Sequence, residues 1–375
     1  MKKRMALLLA VLLLAALTAC AAPRQAADTG AGRKPVETVA LTEKIVGICL
    51  PDQSSQRWQE EAQALTALLE KRDCQVRIED ACQDAALQAD QVAQLIALPV
   101  DCLIVAAVDS IALLQVLEQA KSAGIPVIAY DRLLMGTDAV SCYVGFDNQA
   151  AGRQIGQYIA DAKQLQTAQQ EARSYTVEFL MGSPEDSSAV LQHMGVMEVL
   201  QPYLDGGVLV CRSGRVAFED TCVQNWSEDT AKNDCMEHLT EFYTDAPPDI
   251  LCAASDALAQ GCRAALEQSG HTAGEGWPLI TGQDASLEAA QRILSGHQSM
   301  TVLKESHLLT QLCIDAVDAV LSGVADSWAD GVCNNGVMDV PACLCTPVAV
   351  DAANIQEILV DGGIFSQAQL SGENE

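Results

Sequence analysis

Short apolar runs that end on a charged or amide-bearing residue recur along this chain, and that punctuation narrows the folds open to it. IVGICL (45–50) leads to Arg57 and Trp58, LIVAAV (103–108) runs into Asp109, and VIAY (127–130) stops at Asp131 and Arg132. YVGF (143–146) ends at Asp147 and Asn148, EFLMG (178–182) precedes Glu185 and Asp186, and LCAA (251–254) precedes Ser255 and Asp256. LITG (279–282) reaches Gln283 and Asp284, and MTVL (300–303) ends on Lys304. Runs this short and this apolar suit strands buried on both faces of a parallel sheet. In such a sheet the carboxyl ends of the strands share one rim, where α/β proteins bind ligands.

The stretches between the runs read as helices. From Arg57 to Lys71, Trp58, Ala62, Leu65, Leu68 and Leu69 recur at helical spacing. Further helices are expected at 85–98, 111–123, 150–170, 188–200, 230–243 and 256–269. Gly124 and Pro126 close one of them in the usual order, glycine at the C-cap and proline just beyond. Repeated βα units of this length predict parallel sheets with helices on both faces. At 375 residues the chain has room for two domains, and the alternation falls into two series that meet after Asp147 and Asn148. No Pro- or Ser-rich linker separates them, which points to two similar lobes joined by several short crossings.

Charge and cysteine content trim the range of functions. A formal charge of −28 argues against nucleic acid or an anionic membrane surface as partner, because both demand basic patches. Fifteen cysteines allow one or two disulfides, but no CxxC pair or matching His spacing supports a metal site. The five histidines are scattered and suggest no catalytic arrangement, and no GxGxxG or P-loop pattern is present to cradle a phosphate. No cofactor is expected.

The N-terminus reads as a leader. Lys2, Lys3 and Arg4 precede an apolar stretch from Met5 to Thr18 that is short for a membrane span. Leu17-Thr18-Ala19-Cys20 then has the form of a bacterial lipobox, which makes Cys20 the lipidated first residue of the mature chain. A lipid there would hold the protein to the cell membrane on its outer face without spanning it. Residues 21–43 lack periodicity and read as a flexible tether.

The residues at the strand ends also share a chemistry. Planar groups with paired donors or acceptors grip adjacent hydroxyls, and aromatic faces cover the apolar side of a sugar ring. Hydrogen bonds to charged partners are the stronger kind, at about 1.5–3 kcal/mol each. Asp131, Asp186 and Asp284 can accept, Arg57 and Lys304 can donate, and Trp58 and Trp226 can stack. Trp58 lies on the apolar stripe of its helix and suits the core equally well. Asp109 and Asp147 suit helix caps, and Asp256 could both cap its helix and line a cleft.

The segments Gln56-Arg57-Trp58, Ala129-Tyr130-Asp131-Arg132-Leu133, Gly145-Phe146-Asp147-Asn148, Gly282-Gln283-Asp284-Ala285, Met300-Thr301-Val302-Leu303-Lys304 and Asn334-Asn335-Gly336 carry a resemblance. In type and order they resemble the xylose-binding and multiple-sugar-binding branch of the type I periplasmic-binding family, over roughly Lys44 to Phe365. That resemblance implies an α/β fold of two Rossmann-like lobes joined by three hinge strands, with a ligand cleft between them. It places residues 44–147 and about 285–339 in the first lobe, and 148–284 and about 340–375 in the second. It implies a monomeric, non-enzymatic protein that closes on a monosaccharide, then serves an ABC permease or, alternatively, a membrane sensor kinase or chemoreceptor. Carried over position by position, the family's contacts fall on Arg57, Trp58, Asp131, Asp186, Trp226, Asp284 and Lys304, with Arg132 and Asp256 beside them. Ser188 and Ser255 stand where the xylose binders have Asn. Serine is shorter and lacks the amide's paired donor and acceptor, so it leaves room for a water or an extra hydroxymethyl group.

Overall fold

The computed structural model describes residues 36–372, so the leader, Cys20 and the tether up to residue 35 lie outside them. The last part of the expected tether is docked rather than free. Leu41 is buried in the first core. The N–H of Val39 donates to Asp318 Oδ1 at 3.1 Å, and its carbonyl accepts from Arg72 Nη2 at 2.7 Å. The Arg72–Asp318 ion pair, at 2.6 Å, supplies both anchors.

The first series runs β1 (Ile45–Leu50), α1 (Gln56–Glu70), β2 (Gln75–Asp80), α2 (Ala85–Ala97), β3 (Cys102–Val105), α3 (Leu114–Ser122), β4 (Val127–Asp131) and β5 (Cys142–Phe146). The second runs α4 (Asn148–Ala162), α5 (Leu165–Gln170), β6 (Tyr175–Leu180), α6 (Ser187–Asp205), β7 (Leu209–Val210), α7 (Glu228–Phe242), β8 (Ile250–Ala253), α8 (Asp256–Gln268), β9 (Leu279–Ile280), α9 (Leu287–Leu294) and β10 (Met300–Leu303). The chain then continues through α10 (Ser306–Leu321), β11 (Gly331–Asn334), β12 (Asp339–Cys345) and β13 (Val348–Asp351). The single helix expected over 150–170 is broken at Gln164, whose backbone is left-handed (φ 49°).

One sheet has the order β11-β12-β5-β4-β3-β1-β2, parallel throughout except for the β11–β12 hairpin. Every residue of β3, β4 and β5 is buried, as a sheet covered on both faces requires. Helices α1 and α10 cover one face, α2 and α3 the other. The second sheet is parallel in the order β7-β6-β8-β9, and its core is shared with α4, α6, α7 and α8. Backbone bonds from Ser299 to Ile280 and from Val302 to Gly282 lay β10 alongside β9, and β13 pairs antiparallel with β10.

The chain therefore passes between the sheets three times, at Phe146–Asn148, Leu303–Ser306 and Cys345–Val348. The first crossing is the step from β5 to α4. The other two differ from those expected near 285 and 340. Met300 and Val302 are buried in the second core, which keeps β10 there. The Asn334-Asn335-Gly336 turn folds β12 back against β11, which keeps it in the first sheet. The core cysteines Cys49, Cys102, Cys252, Cys262 and Cys313 are unbridged. Burial pushes the Cys49 thiol up to about 12, which leaves it protonated and inert.

Candidate functional site: a cleft between two sheets

In each sheet the strand order reverses at an inner strand, β1 beside β3 in the first and β6 beside β8 in the second. The carboxyl ends at these switch points face one another. Three helices begin there, each with a side-chain cap: Ser55 accepts from Trp58, Asp186 from Ser188 and Ser255 from Leu258. Capping fixes the first turn of each helix, and those turns carry the polar groups of the cleft.

Arg57 is the hub on the first side. Its Nη2 donates to Asp131 Oδ1 at 2.6 Å, its Nε donates to Glu61 Oε1 at 2.8 Å, and its Nη1 lies 3.8 Å from Asp284 Oδ1. The guanidinium carbon stands 4.9 Å from the centre of the Trp58 ring. Trp58, only 5% exposed, packs in the first core and also borders the cleft. Asp131 closes β4 with a left-handed backbone (φ 59°), and Tyr143 Oη donates to its carbonyl at 2.9 Å. Burial works to raise the Asp131 pKa, but Arg57 and then Lys304 outweigh it and hold the carboxyl at about 2. Lys304, at the second crossing, is buried with its Nζ 5.2 Å from the centre of Phe146. Burial lowers its pKa against the pull of Asp131.

Asp186 organises the opposite side. Its Oδ1 accepts the N–H and hydroxyl of Ser188 at 2.9 and 2.6 Å, and its Oδ2 accepts the Trp226 indole N–H at 3.1 Å. Arg132 Nε lies 2.9 Å from the same Oδ2, a charge contact that joins the two sheets. That arginine also donates from Nη1 to the Ala107 carbonyl at 2.8 Å. Trp226 sits on a single 3-10 turn, Gln224–Trp226, in which both Asn225 and Trp226 are left-handed. Its ring lies against Gly182, where any Cβ would occupy the space of the indole.

Between the two sides lies a cavity of about 600 Å³, within the roughly 300–1,000 Å³ of small-molecule sites. Every residue singled out for ligand contact from the sequence borders it except Asp256. Asp256 opens α8 but turns behind the wall. Its Oδ1 accepts from Gln298 Nε2 at 2.8 Å beside Gly282, and its Oδ2 accepts the Ser286 N–H at 2.9 Å. Burial, helped by the charge of Asp284, raises its pKa to about 7. It is therefore a support for the loop that carries Asp284, not a wall residue. Asp284 is left-handed (φ 99°), and no donor reaches its buried Oδ1.

Several wall residues were not expected. Gln283 extends between β9 and the cavity and accepts from Gln192 Nε2 at 2.9 Å. Asp52, Ser54, Gln83 and Asn225 border the space from turns that follow no periodic pattern, and Glu228 borders it from the start of α7. Glu61 stands behind Arg57 and also accepts from Ser306 Oγ at 2.7 Å. The one signal for it was its position four residues after Arg57. Together the wall presents carboxylate acceptors, cationic donors and two indole surfaces, the set that suits a small ring bearing several hydroxyls.

The sequence profile of the family described as "Periplasmic binding protein domain" matches residues 46–325. The chain is 34% identical to the "Multiple sugar-binding periplasmic protein SbpA" of Azospirillum brasilense, over 88% of this chain and 92% of that protein. It is 32% identical to the "Multiple sugar-binding periplasmic receptor ChvE" of Rhizobium radiobacter, over 92% and 97%. Among solved structures, an ABC transporter solute binding protein from Clostridium phytofermentans with bound β-D-glucose superposes with a TM-score of 0.81. That protein is 36% identical to this one, with 87% of this chain and all of the other covered.

Proposed function

The chain belongs to the periplasmic binding protein family, and from that premise we propose that it captures an aldose outside the cell membrane and delivers it to an ABC transporter. The observation that carries this reading is the cavity itself. Its two indoles and its ion-paired Arg57 and Asp186 come from opposite sheets, so neither side holds a complete site. Closure of the lobes and capture of the ligand are then one event. The Leu17–Cys20 lipobox supports tethering through a lipid at Cys20. The alternative, presentation of the sugar to a membrane sensor, uses the same binding event and is favoured by the description of one relative as a receptor.

The chain is a binding protein and not an enzyme, as its relatives are. Acid catalysis at the cleft would need a carboxyl that holds a proton near neutrality. Asp131, held at about 2, does not. Asp256 and Glu61 have raised values, but neither borders the cavity.

The hydroxyls of Ser188 and Ser255 are turned back to Asp186 and to the start of α8, so both positions leave room on the second side. That supports an aldohexose with its exocyclic hydroxymethyl group over a pentose alone. Calorimetry against D-glucose, D-galactose, D-xylose, L-arabinose and D-ribose tests this. We expect the wild type to bind D-glucose, and Ser188→Asn with Ser255→Asn to weaken glucose at least tenfold more than xylose. Failure of all five sugars to bind would sink the aldose reading.

A further inference from the structure

Outside the cavity, the two sides meet a second time. Ser110, in the loop after β3, donates its N–H to the Glu185 carbonyl at 3.0 Å and its hydroxyl to the same oxygen at 3.0 Å. The Ser110 hydroxyl in turn accepts the N–H of Ser187 at 3.0 Å. Ser187 Oγ donates back to the Leu133 carbonyl, just after β4, at 3.2 Å. Ser110 is 6% exposed, and neither serine borders the ligand cavity.

The chemistry of this contact is that of a helix cap made across the cleft. Ser187 is the first residue of α6, and its N–H is one of the donors that a helix leaves without an internal partner. Asp186, the residue before it, spends its side chain on Ser188 and on the cavity. The first free N–H of α6 is thus satisfied by a hydroxyl from the other lobe. When the lobes part, that N–H and the Glu185 carbonyl must turn to water together.

We propose that Ser110 and Ser187 form a ligand-independent latch, positioning residues that stabilise the closed pair of lobes without touching what is bound. The proposal rests on the coupling of closure to binding argued above. Residues 185–187 then alternate in role. Asp186 reads the cavity, while its neighbours on both sides hold the lobes together. A latch of this kind raises affinity for every ligand by one common factor, because it acts on the open–closed equilibrium that all ligands share. Selectivity stays with the cavity.

The test uses the full chain and the variants Ser110→Ala and Ser187→Ala, with melting curves to verify folding. Deuterium exchange is followed first in the ligand-free protein, at the peptide spanning 185–189. We expect faster exchange there in Ser110→Ala than in the wild type, and exchange identical to wild type overturns the latch. Dissociation constants for D-glucose and D-xylose are then compared. A net hydrogen bond is worth enough that each variant should raise both constants about two- to tenfold, with their ratio unchanged. A changed ratio would make Ser110 a ligand-reading residue and overturn the assignment. If the wild type binds neither sugar, the aldose reading fails by itself, and the exchange result still decides the latch.

Discussion

Asp131, Asp256 and Asp284 are three carboxylates within one neighbourhood, and their surroundings give them three different jobs. Asp131 is locked to Arg57 and stays ionised at any ordinary pH. Asp284 borders the cavity, its buried Oδ1 lying 3.8 Å from Arg57 Nη1. Asp256, sealed behind Gly282, has a pKa raised from 3.8 to about 7 by burial and by the charge of Asp284. The folded chain therefore keeps this proton between those two values while the unfolded chain gives it up. Its stabilising contribution is fully present below pH 3.8 and is lost as pH rises through about 7. The gap corresponds to roughly 4 kcal/mol at the most, enough to tilt a melting profile. Asp256→Asn should remove that tilt. Between pH 5 and pH 8 the wild type is expected to lose melting temperature relative to the variant, and parallel profiles would refute the assignment. Other groups titrate in the same range, such as His238, whose pKa burial lowers, but they are common to both proteins and cancel in the difference.

Among the elements, the end of β6 and the turn that carries Trp226 form one device. Gly182 lacks the Cβ that would fill the seat of the indole, and two left-handed residues turn the ring onto it. Gly182→Ala should lift Trp226 off its seat while β6 keeps its place in the sheet, at an overpacking cost of about 1–3 kcal/mol. The expected result is loss of the ligand-dependent change in tryptophan fluorescence. A retained signal would assign it to Trp58. Neither the seat at Gly182 nor the turn carries a local signal in the sequence, whereas β1, β3, β4, β5 and β8 stand out as apolar runs. The difference is physical. A strand buried on both faces needs several apolar residues in succession, which can be read directly. The Gln83 and Asn225 turns are instead held by distant chain, through the Gln83 N–H to the Pro51 carbonyl and the Asn225 N–H to Ser183 Oγ. Likewise, nothing local announces that β10 stays with the second sheet or that Val39 is tied down by Asp318, since both depend on tertiary partners.

At the scale of the whole molecule, the polar residues at the strand ends could be recognised one by one, but only the two sheets show which face which. Arg57, Trp58 and Asp131 stand on one side, and Asp186, Ser188, Trp226 and Ser255 on the other, with Asp284 and Lys304 close to the second crossing. A ligand shifts the open–closed equilibrium only by the difference in its affinity for the two states. If the ligand rests first on the first side, contacts from that side exist in both states and contribute nothing to that difference. Those from the second side are gained on closure, and they supply the driving force. Trp226→Ala therefore has a consequence beyond weaker binding. At equal fractional saturation with D-glucose, small-angle scattering should show the wild type contracting and the variant remaining more extended. The affinity of the variant should fall at least tenfold, because closure and capture share the same contact. If it contracts as fully as the wild type while binding more weakly, the second side does not drive closure. The motion would then have to be attributed to the cross-cleft contacts of Ser110 and Arg132 alone.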